Sequence, residues 1–196
     1  MAKLYFSYAA MNAGKSTLLL QVAHNYLERE MAVYILNSAL DNRFGARKVA
    51  SRIGIEKEAD TFDQESNLRQ MIDTQEPKPA CVLIDEAHWL TAEQVEQLAR
   101  AVDELRIPIL TYGLRTDFKG ELFSGSERLL ALADELREIR TVCGCGRKAI
   151  MTLRTDGEGN VLADGPQTQI GGNEAYVSVC RNHWQQGIDS GTVSYS

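Results

Sequence analysis

The sequence predicts an α/β protein in which helices flank a parallel β-sheet and a smaller cysteine-containing unit follows. Apolar, β-prone segments alternate with amphipathic helical stretches through most of the chain, an order typical of a parallel sheet. The run ACVLID at residues 80–85 is too continuously apolar for a half-exposed strand and indicates a strand buried on both faces. Three of the four cysteines lie in the last third, where the alternation stops.

The elements follow this pattern in chain order. The predicted strands cover residues 4–8, 32–36, 80–85 and 107–112, and the predicted helices cover 15–30, 65–75, 91–105 and 126–136. Apolar residues recur at helical spacing in the first helix, and Thr91 with Gln94 predicts a capping box at the start of the third. After residue 139 the chain continues with CGCGRK, a DGEGN turn and a segment rich in Gly and Gln. We therefore predict one domain over 1–139 and a second over 140–196.

The composition is that of an ordinary folded protein. Of 196 residues, 44% are hydrophobic and 24% are charged, which excludes a disordered chain and a coiled coil and allows one sizeable core with an appendage. The net charge is −6, and the acidic excess lies within residues 1–139. A basic stripe that could release counterions from nucleic-acid phosphates is lacking, so we expect no nucleic-acid partner.

The first residues lack the basic start and long apolar core of a signal peptide. No apolar run approaches the roughly 18 residues that span a bilayer. We therefore expect a cytoplasmic protein without a membrane partner, in which clustered cysteines bind metal more often than they form disulfides.

A phosphate-binding loop is predicted between the first strand and the first helix. Residues 9–16 read A-A-M-N-A-G-K-S, the Walker A pattern G-x-x-x-x-G-K-[ST] with Ala9 in place of the first glycine. Gly14 allows a backbone shape that side chains disfavour, and N–H groups at the helix N-terminus would point at phosphate oxygens. Lys15 would reach the β- and γ-phosphates, and Ser16 would bind Mg²⁺.

Two carboxylates follow the buried strand. Asp85 matches the Walker B role of holding Mg²⁺, and Glu86 is a candidate general base for a hydroxyl or a water. We expect both to continue the extended strand, so that they point to opposite faces. A solvated Glu86 without a role is the alternative. The letters DEAH also occur in a helicase family, but such motors need two tandem nucleotide-binding domains, which 196 residues cannot supply.

Cys143, Cys145, Cys180 and His183 form two ligand pairs with 34 residues between them. Three thiolates and an imidazole suit tetrahedral Zn²⁺, and four protein ligands leave no open position, which indicates a structural metal. A redox pair at the first two cysteines, or inert buried thiols, are the alternatives. Cys81 is predicted to be a small core residue.

With these motifs in view, nearly the whole chain resembles the zinc-containing type II thymidine kinases. The matching segments are AMNAGKST, DNRFGARKV, LIDEAHWL, YGLRTDFKGELFSGS, CGCGRKA and IGGNEAYVSVCRNH. The resemblance implies a P-loop (RecA-like) sheet with a small C-terminal zinc-binding lasso domain. It implies transfer of the γ-phosphate of ATP to the 5′-hydroxyl of thymidine to give thymidylate for nucleotide salvage, with deoxyuridine left open as a second substrate.

The resemblance also assigns site residues. It implies an ATP site at Ala9, Ala10, Met11, Asn12, Ala13, Gly14, Lys15, Ser16, Asp85, Glu86, Ala87 and His88. It implies a nucleoside site at Met11, Asp41, Arg43, Trp89, Leu114, Phe118, Thr152, Ile170, Gly171, Gly172, Asn173 and Tyr176, the last five lying in the lasso. Glu86 is implied to be the catalytic base, Ser16 and Asp85 to hold Mg²⁺, and the three late cysteines with His183 to hold zinc.

The family resemblance further implies a homotetramer and feedback inhibition by thymidine triphosphate (dTTP). The sequence departs from the family pattern at three positions: Ala9 replaces a glycine, His88 stands where glutamine is common, and Trp89 stands where many members have phenylalanine. Two hypotheses of other classes are kept beside the kinase. One is an ATP-hydrolysing switch or motor, and the other is a zinc-ribbon protein that binds nucleic acid.

Overall fold

The structure is a computed structural model that describes residues 1–41, 45, 47–156, 158–167 and 175–195. The strands are β1 (Leu4–Ala9), β2 (Val33–Ser38), β3 (Lys48–Ala50), β4 (Glu56–Glu58), β5 (Asp60–Phe62), β6 (Cys81–Ile84), β7 (Ile109–Leu114), β8 (Glu135–Glu138), β9 (Thr141–Val142), β10 (Lys148–Ala149), β11 (Met151–Arg154) and β12 (Tyr176–Val179). The helices are α1 (Lys15–Leu27), α2 (Leu68–Asp73), α3 (Ala92–Leu105), α4 (Ser124–Leu132) and α5 (Arg181–Ser190), with a 3₁₀ turn at Ala87–Trp89.

Six strands form one sheet in the order β5-β2-β6-β7-β1-β8, and every neighbouring pair is parallel. This confirms the predicted α/β class. Because the strands are parallel, the carboxyl ends of β1 and β6 reach the same edge of the sheet. The loop that follows β1 and the carboxylates that follow β6 therefore meet there, as ligand sites in open α/β sheets do.

The sheet is covered on both faces, and β6 shows how. Val82 and Ile84 point into the core formed with α2, α3 and α4, whereas Cys81 and Leu83 point into the core formed with α1. All four side chains are fully buried, which explains the continuous apolar run. Cys81 is a core residue as predicted, and burial raises the pKa of its thiol to about 12.

The predicted helix at 126–136 is wrong in its second half. Helix α4 ends at Leu132, Ala133 has an extended backbone, and the next residues form β8 beside β1. The Asp134 carboxylate accepts a hydrogen bond from the N–H of Leu4 (2.7 Å), which fixes the start of this edge strand. The first helix is also shorter than predicted, because the chain turns after Leu27 and Glu30 has a left-handed backbone (φ 58°).

Residues beyond β8 build a second, smaller core. Strands β11 and β12 pair antiparallel, although residues 155–175 separate them in the chain, and this pair is called the β11–β12 hairpin below. Strand β9 pairs with β10, and α5 packs against the β11–β12 hairpin. The buried members of this core are Cys143, Ala149, Met151, Leu153, Val179 and Cys180. The predicted division at 139/140 stays a prediction. In the part of the chain that is described, none of the helices has the length and apolarity that crossing a bilayer requires.

Candidate active site

The loop between β1 and α1 has the shape that phosphate binding requires. Asn12 and Gly14 both adopt left-handed backbone conformations (φ 61° and 84°), and Gly14 is the N-cap of α1. This turn leaves the first N–H groups of α1 without partners inside the helix, facing the loop. Lys15 is largely buried beside them, at 9% exposure. The loop thus concentrates positive charge and N–H donors at one point.

Ser16 and Asp85 come together below this loop. The Ser16 hydroxyl donates to a carboxylate oxygen of Asp85 (2.6 Å), across 69 residues of sequence. Burial and the neighbouring charge of Glu86 raise the pKa of Asp85 to about 6, while Ser16 and Lys15 act in the opposite direction. A hydroxyl and a carboxylate are hard oxygen donors, the kind that Mg²⁺ prefers, so this pair fits a magnesium ion.

Glu86 lies on a turn rather than on the strand. Strand β6 ends at Ile84, and Glu86 has a left-handed backbone (φ 50°, ψ 37°). The expectation that Asp85 and Glu86 both continue the extended strand is therefore wrong. The two carboxylates still diverge: Asp85 contacts Ser16, whereas Oε2 of Glu86 lies 3.4 Å from Nδ1 of His88. The same Nδ1 accepts a hydrogen bond from the N–H of Leu114 (3.3 Å), which fixes the histidine ring.

A cavity of about 290 Å³ lies over the phosphate loop and Glu86. Its walls include seven residues that the resemblance assigns to the nucleoside, namely Met11, Asp41, Trp89, Leu114, Phe118, Thr152 and Tyr176. Leu114 ends β7, Thr152 and Tyr176 lie on β11 and β12, and the other four lie in loops or the 3₁₀ turn that follow strands of the large sheet. The structure therefore places an apolar, partly aromatic slot directly beside the phosphate loop and a carboxylate.

The β11–β12 hairpin is hydrogen-bonded to the phosphate loop. The N–H of Met11 donates to Oγ1 of Thr152 (3.4 Å), and the hydroxyl of Ser178 donates to the carbonyl oxygen of Met11. These contacts join residues more than 140 positions apart. The position of the hairpin and the shape of the phosphate loop thus depend on each other.

The three late cysteines and His183 converge at the base of that hairpin. Their ligand atoms lie within 4.8 Å of one another. Nδ1 of His183 is 3.3 Å from Sγ of Cys143 and 3.7 Å from Sγ of Cys180, and the Sγ atoms of Cys145 and Cys180 are 4.0 Å apart. Ligands of a tetrahedral zinc ion with Zn–S bonds of about 2.3 Å stand roughly 3.5–3.8 Å apart, so the cluster is compatible with zinc.

The surroundings of Cys143 favour the thiolate that metal binding needs. Burial opposes ionisation of this thiol, but hydrogen bonds from the backbone N–H of Cys145 and from the His183 ring outweigh it and lower the pKa to about 6. Near the chain end, the ring of Tyr195 packs against His183 (centroids 5.6 Å apart) and occupies the space that a Cβ at Gly144 would fill. The glycine between the first two cysteines therefore makes room for an aromatic cover.

Comparison with known proteins decides the family. The family described as thymidine kinase matches residues 2–184, a span that holds the phosphate loop, Glu86 and all four members of the cysteine–histidine cluster. The chain belongs to the thymidine kinase family. Curated relatives named Thymidine kinase include those of Jannaschia sp. (57% identical, covering 96% of this chain and 97% of the relative) and Rhizobium meliloti (56% identical, covering 97% and 100%). The relative from Ruegeria pomeroyi is 57% identical and covers 95% of both chains.

Membership in the thymidine kinase family confirms the resemblance inferred from the motifs. The site residues assigned from it have different places in the structure. Residues 11–16, Glu86 and His88 line the cavity, whereas Ala9, Ala10, Asp85 and Ala87 are buried behind it. Arg43 and the lasso residues Ile170, Gly171, Gly172 and Asn173 lie outside the described residues, so their roles stay predictions.

Sequence reasoning missed several cavity residues of this thymidine kinase family member. Phe123 packs edge-on against the ring of His88 (4.6 Å between centroids), and Asp117, Arg52 and Gln167 contribute polar atoms to the walls. Phe123 and Asp117 stand in the matching YGLRTDFKGELFSGS segment, which was a usable signal. Arg52 and Gln167 come from turns whose position depends on the folded chain.

Two of the departures from the thymidine kinase pattern stand side by side in the cavity. The rings of His88 and Trp89 are 4.7 Å apart. The indole Nε1 of Trp89 is buried, and it has no hydrogen-bond partner among the residues that the structure describes. A phenylalanine there would leave no such donor, so this position changes both the size and the polarity of the cavity wall.

The turn that carries Glu86 has room only because Gly125 faces it. A Cβ at Gly125 would lie 2.7 Å from the carbonyl oxygens of Ala87 and Leu90. We expect Gly125→Ala to destabilise the fold by about 1–3 kcal/mol, although glycine-to-alanine changes within helices normally stabilise. We also expect kcat to fall, because the displaced backbone carries Glu86. Thermal unfolding and steady-state kinetics measure both effects. An unchanged Tm and kcat in the variant would show that the turn does not need a glycine at position 125.

Proposed function

We propose that this chain transfers the γ-phosphoryl group of ATP to the 5′-hydroxyl of thymidine. The observation that carries the proposal is a cavity in which a phosphate loop and the Glu86 carboxylate meet an aromatic and aliphatic slot. Membership in the thymidine kinase family, over residues 2–184, supports it.

The phosphate end of the cavity suits the ATP. Backbone N–H groups at the start of α1 and the Lys15 ammonium would hold the β- and γ-phosphates. Ser16 and Asp85 would hold Mg²⁺, which when bound neutralises the charge that develops on the phosphate oxygens. Because the loop shape is preset by Asn12 and Gly14 in left-handed conformations, little reorganisation is needed when ATP binds.

Glu86 would act as the general base. As the 5′-oxygen attacks the γ-phosphorus, its proton passes to the Glu86 carboxylate, a new O–P bond forms, and the bond between the γ-phosphorus and the β–γ bridging oxygen breaks to release ADP. The His88 ring, whose Nδ1 accepts a hydrogen bond from the N–H of Leu114 (3.3 Å), would limit where the Glu86 carboxylate beside it can move. The Glu86 carboxylate lies beside His88, whereas the proposed magnesium ligands Ser16 and Asp85 contact each other.

The slot suits a flat pyrimidine. Trp89, Leu114 and Phe118 supply aromatic and aliphatic surface against which a flat base would pack. Deoxyuridine lacks only the ring methyl group, and one methyl group changes binding by about 1–3 kcal/mol. We therefore propose thymidine as the preferred substrate, and the ratio of kcat/KM for the two nucleosides measures the preference.

The cysteine–histidine cluster would bind a structural zinc ion. With four protein ligands, such an ion has no position for substrate, so its role would be to hold β9, β12 and α5 together. From the family we further propose a homotetramer, inhibition by dTTP and a cytoplasmic location. Light scattering of the purified protein tests the first of these, and titration of the kinase reaction with dTTP tests the second.

Label transfer tests the reaction itself. The chain is incubated with Mg²⁺ and ATP labelled in the γ-phosphate, with thymidine or with 5′-deoxythymidine, which lacks the accepting hydroxyl. We expect label in thymidine 5′-monophosphate with the first nucleoside and in no nucleotide product with the second. Label released only as inorganic phosphate would instead support an ATP-hydrolysing switch.

A further inference from the structure

Arg154 is a buried cation for which the proposed reaction has no use. It lies on β11, is 3% exposed, and has no carboxylate partner among the described residues. Its guanidinium stacks on the ring of Phe118, with 3.9 Å from its central carbon to the ring centroid. Phe118 is a wall of the nucleoside slot and is itself 2% exposed.

The two terminal nitrogens of the guanidinium hold the segment that leads to a second wall of the cavity. Nη1 donates to the carbonyl oxygen of Pro166 (3.2 Å), and Nη2 donates to the carbonyl oxygen of Asp164. Gln167, which follows Pro166, lines the cavity and donates to the carbonyl oxygen of Leu122 (3.3 Å). One planar group therefore sets both the Phe118 ring and the backbone that leads to Gln167.

The backbone of Arg154 is paired with a residue of a third cavity wall. Arg154 pairs with Tyr176 in the β11–β12 hairpin, and the adjoining N–H of Thr155 donates to the carbonyl oxygen of Ala175 (2.7 Å). Tyr176 also lines the cavity. The sequence leaves space for this arrangement at Gly165, where φ is +127° and a Cβ would overlap the Arg154 guanidinium.

We infer that Arg154 is a positioning residue for the nucleoside, acting through Phe118 and Gln167 without touching the substrate. The inference rests on the proposed function, because it takes the cavity to be the thymidine site. A lysine at this position keeps the charge but loses the planar face and the forked pair of donors. The substitution should therefore lower the affinity for thymidine but not the affinity for ATP, whose proposed binding groups lie on the phosphate loop.

The test uses Arg154→Lys and Gly165→Ala, which disturb the same guanidinium in two ways. Gly159→Ala is the matched control, because Gly159 also has a positive φ (93°) but a Cβ there meets nothing within 4 Å. We expect the thymidine Kd from calorimetry and the thymidine KM to rise about tenfold in both test variants. We expect kcat and the ATP KM to stay within about twofold, and Gly159→Ala to match the unmodified chain.

A double variant tests the route through the ring. With Phe118→Leu already present, Arg154→Lys should raise the thymidine Kd by less than about threefold, because the stacked partner is gone. An unchanged thymidine Kd in Arg154→Lys and Gly165→Ala, an equal rise in Gly159→Ala, or an equal rise in the ATP KM would overturn the inference. Failure of the unmodified chain to bind thymidine would instead refute the proposed function.

Discussion

Glu86→Gln is expected to lower kcat by about 10²- to 10⁴-fold, the usual contribution of a general base. The amide has nearly the same shape as the carboxylate, so the turn at Glu86 and the contact with His88 should persist. Because the groups proposed to bind ATP are Lys15, Ser16 and the loop N–H groups, the Kd for ATP should stay within about twofold. Single-turnover kinetics and ATP binding measured on the same preparation separate the two effects.

The control for this variant is Glu56→Gln, which removes an acidic charge from an exposed position on β4. It should leave kcat unchanged. Near-normal kcat in Glu86→Gln would show that Glu86 is not the base. A comparable loss of ATP binding would show instead that the substitution had disturbed the phosphate loop.

Cys143→Ser is expected to abolish stoichiometric zinc binding and to weaken thymidine binding far more than ATP binding. Structural zinc contributes an apparent 10–16 kcal/mol or so to small metal-dependent folds, and the core around this cluster has few buried residues. Without the metal, the β11–β12 hairpin should lose its anchor, and Thr152 and Tyr176 should leave the cavity wall. Metal analysis, thermal unfolding and calorimetry with each substrate measure these changes.

Cys81→Ala serves as the control because it also removes one thiol, but from the core of the large sheet. This variant should keep one zinc ion per chain and should lower only the free energy of unfolding. If Cys143→Ser retained one zinc ion per chain, the cluster would not be the zinc site. If metal-free protein bound thymidine with unchanged affinity, the metal would have no part in shaping the nucleoside slot.

Elements with strong local signals could be predicted from the sequence. Helix α3 starts one residue after the predicted cap because Thr91 and Gln94 do form both hydrogen bonds of a capping box. Strand β6 was predictable because burial on both faces demands a continuous apolar run. Strand β8 was missed because an edge strand carries exposed side chains, such as Leu136 at 48% exposure, and its pattern continues that of the preceding helix.

The chemistry of the candidate site was predictable where function fixes spacing, as in residues 9–16 and at the late cysteines. The left-handed turn at Glu86 could not be predicted, because it depends on the close approach of Gly113 and Gly125, which are distant from it in sequence. Arg154 carries no motif at all. Its contacts with Phe118 and Pro166 arise from tertiary packing, which local sequence does not encode.

A crystal structure with thymidine, Mg²⁺ and an ATP analogue that cannot transfer its γ-phosphate tests the proposed reaction most directly. We expect the pyrimidine against Trp89 and Phe118, the γ-phosphate beside Lys15, and the 5′-oxygen within hydrogen-bond reach, about 2.6–3.2 Å, of a Glu86 carboxylate oxygen. Thymidine bound outside the cavity, or bound within it with the 5′-oxygen remote from Glu86, would show that Glu86 is not the base for thymidine phosphorylation in this cavity.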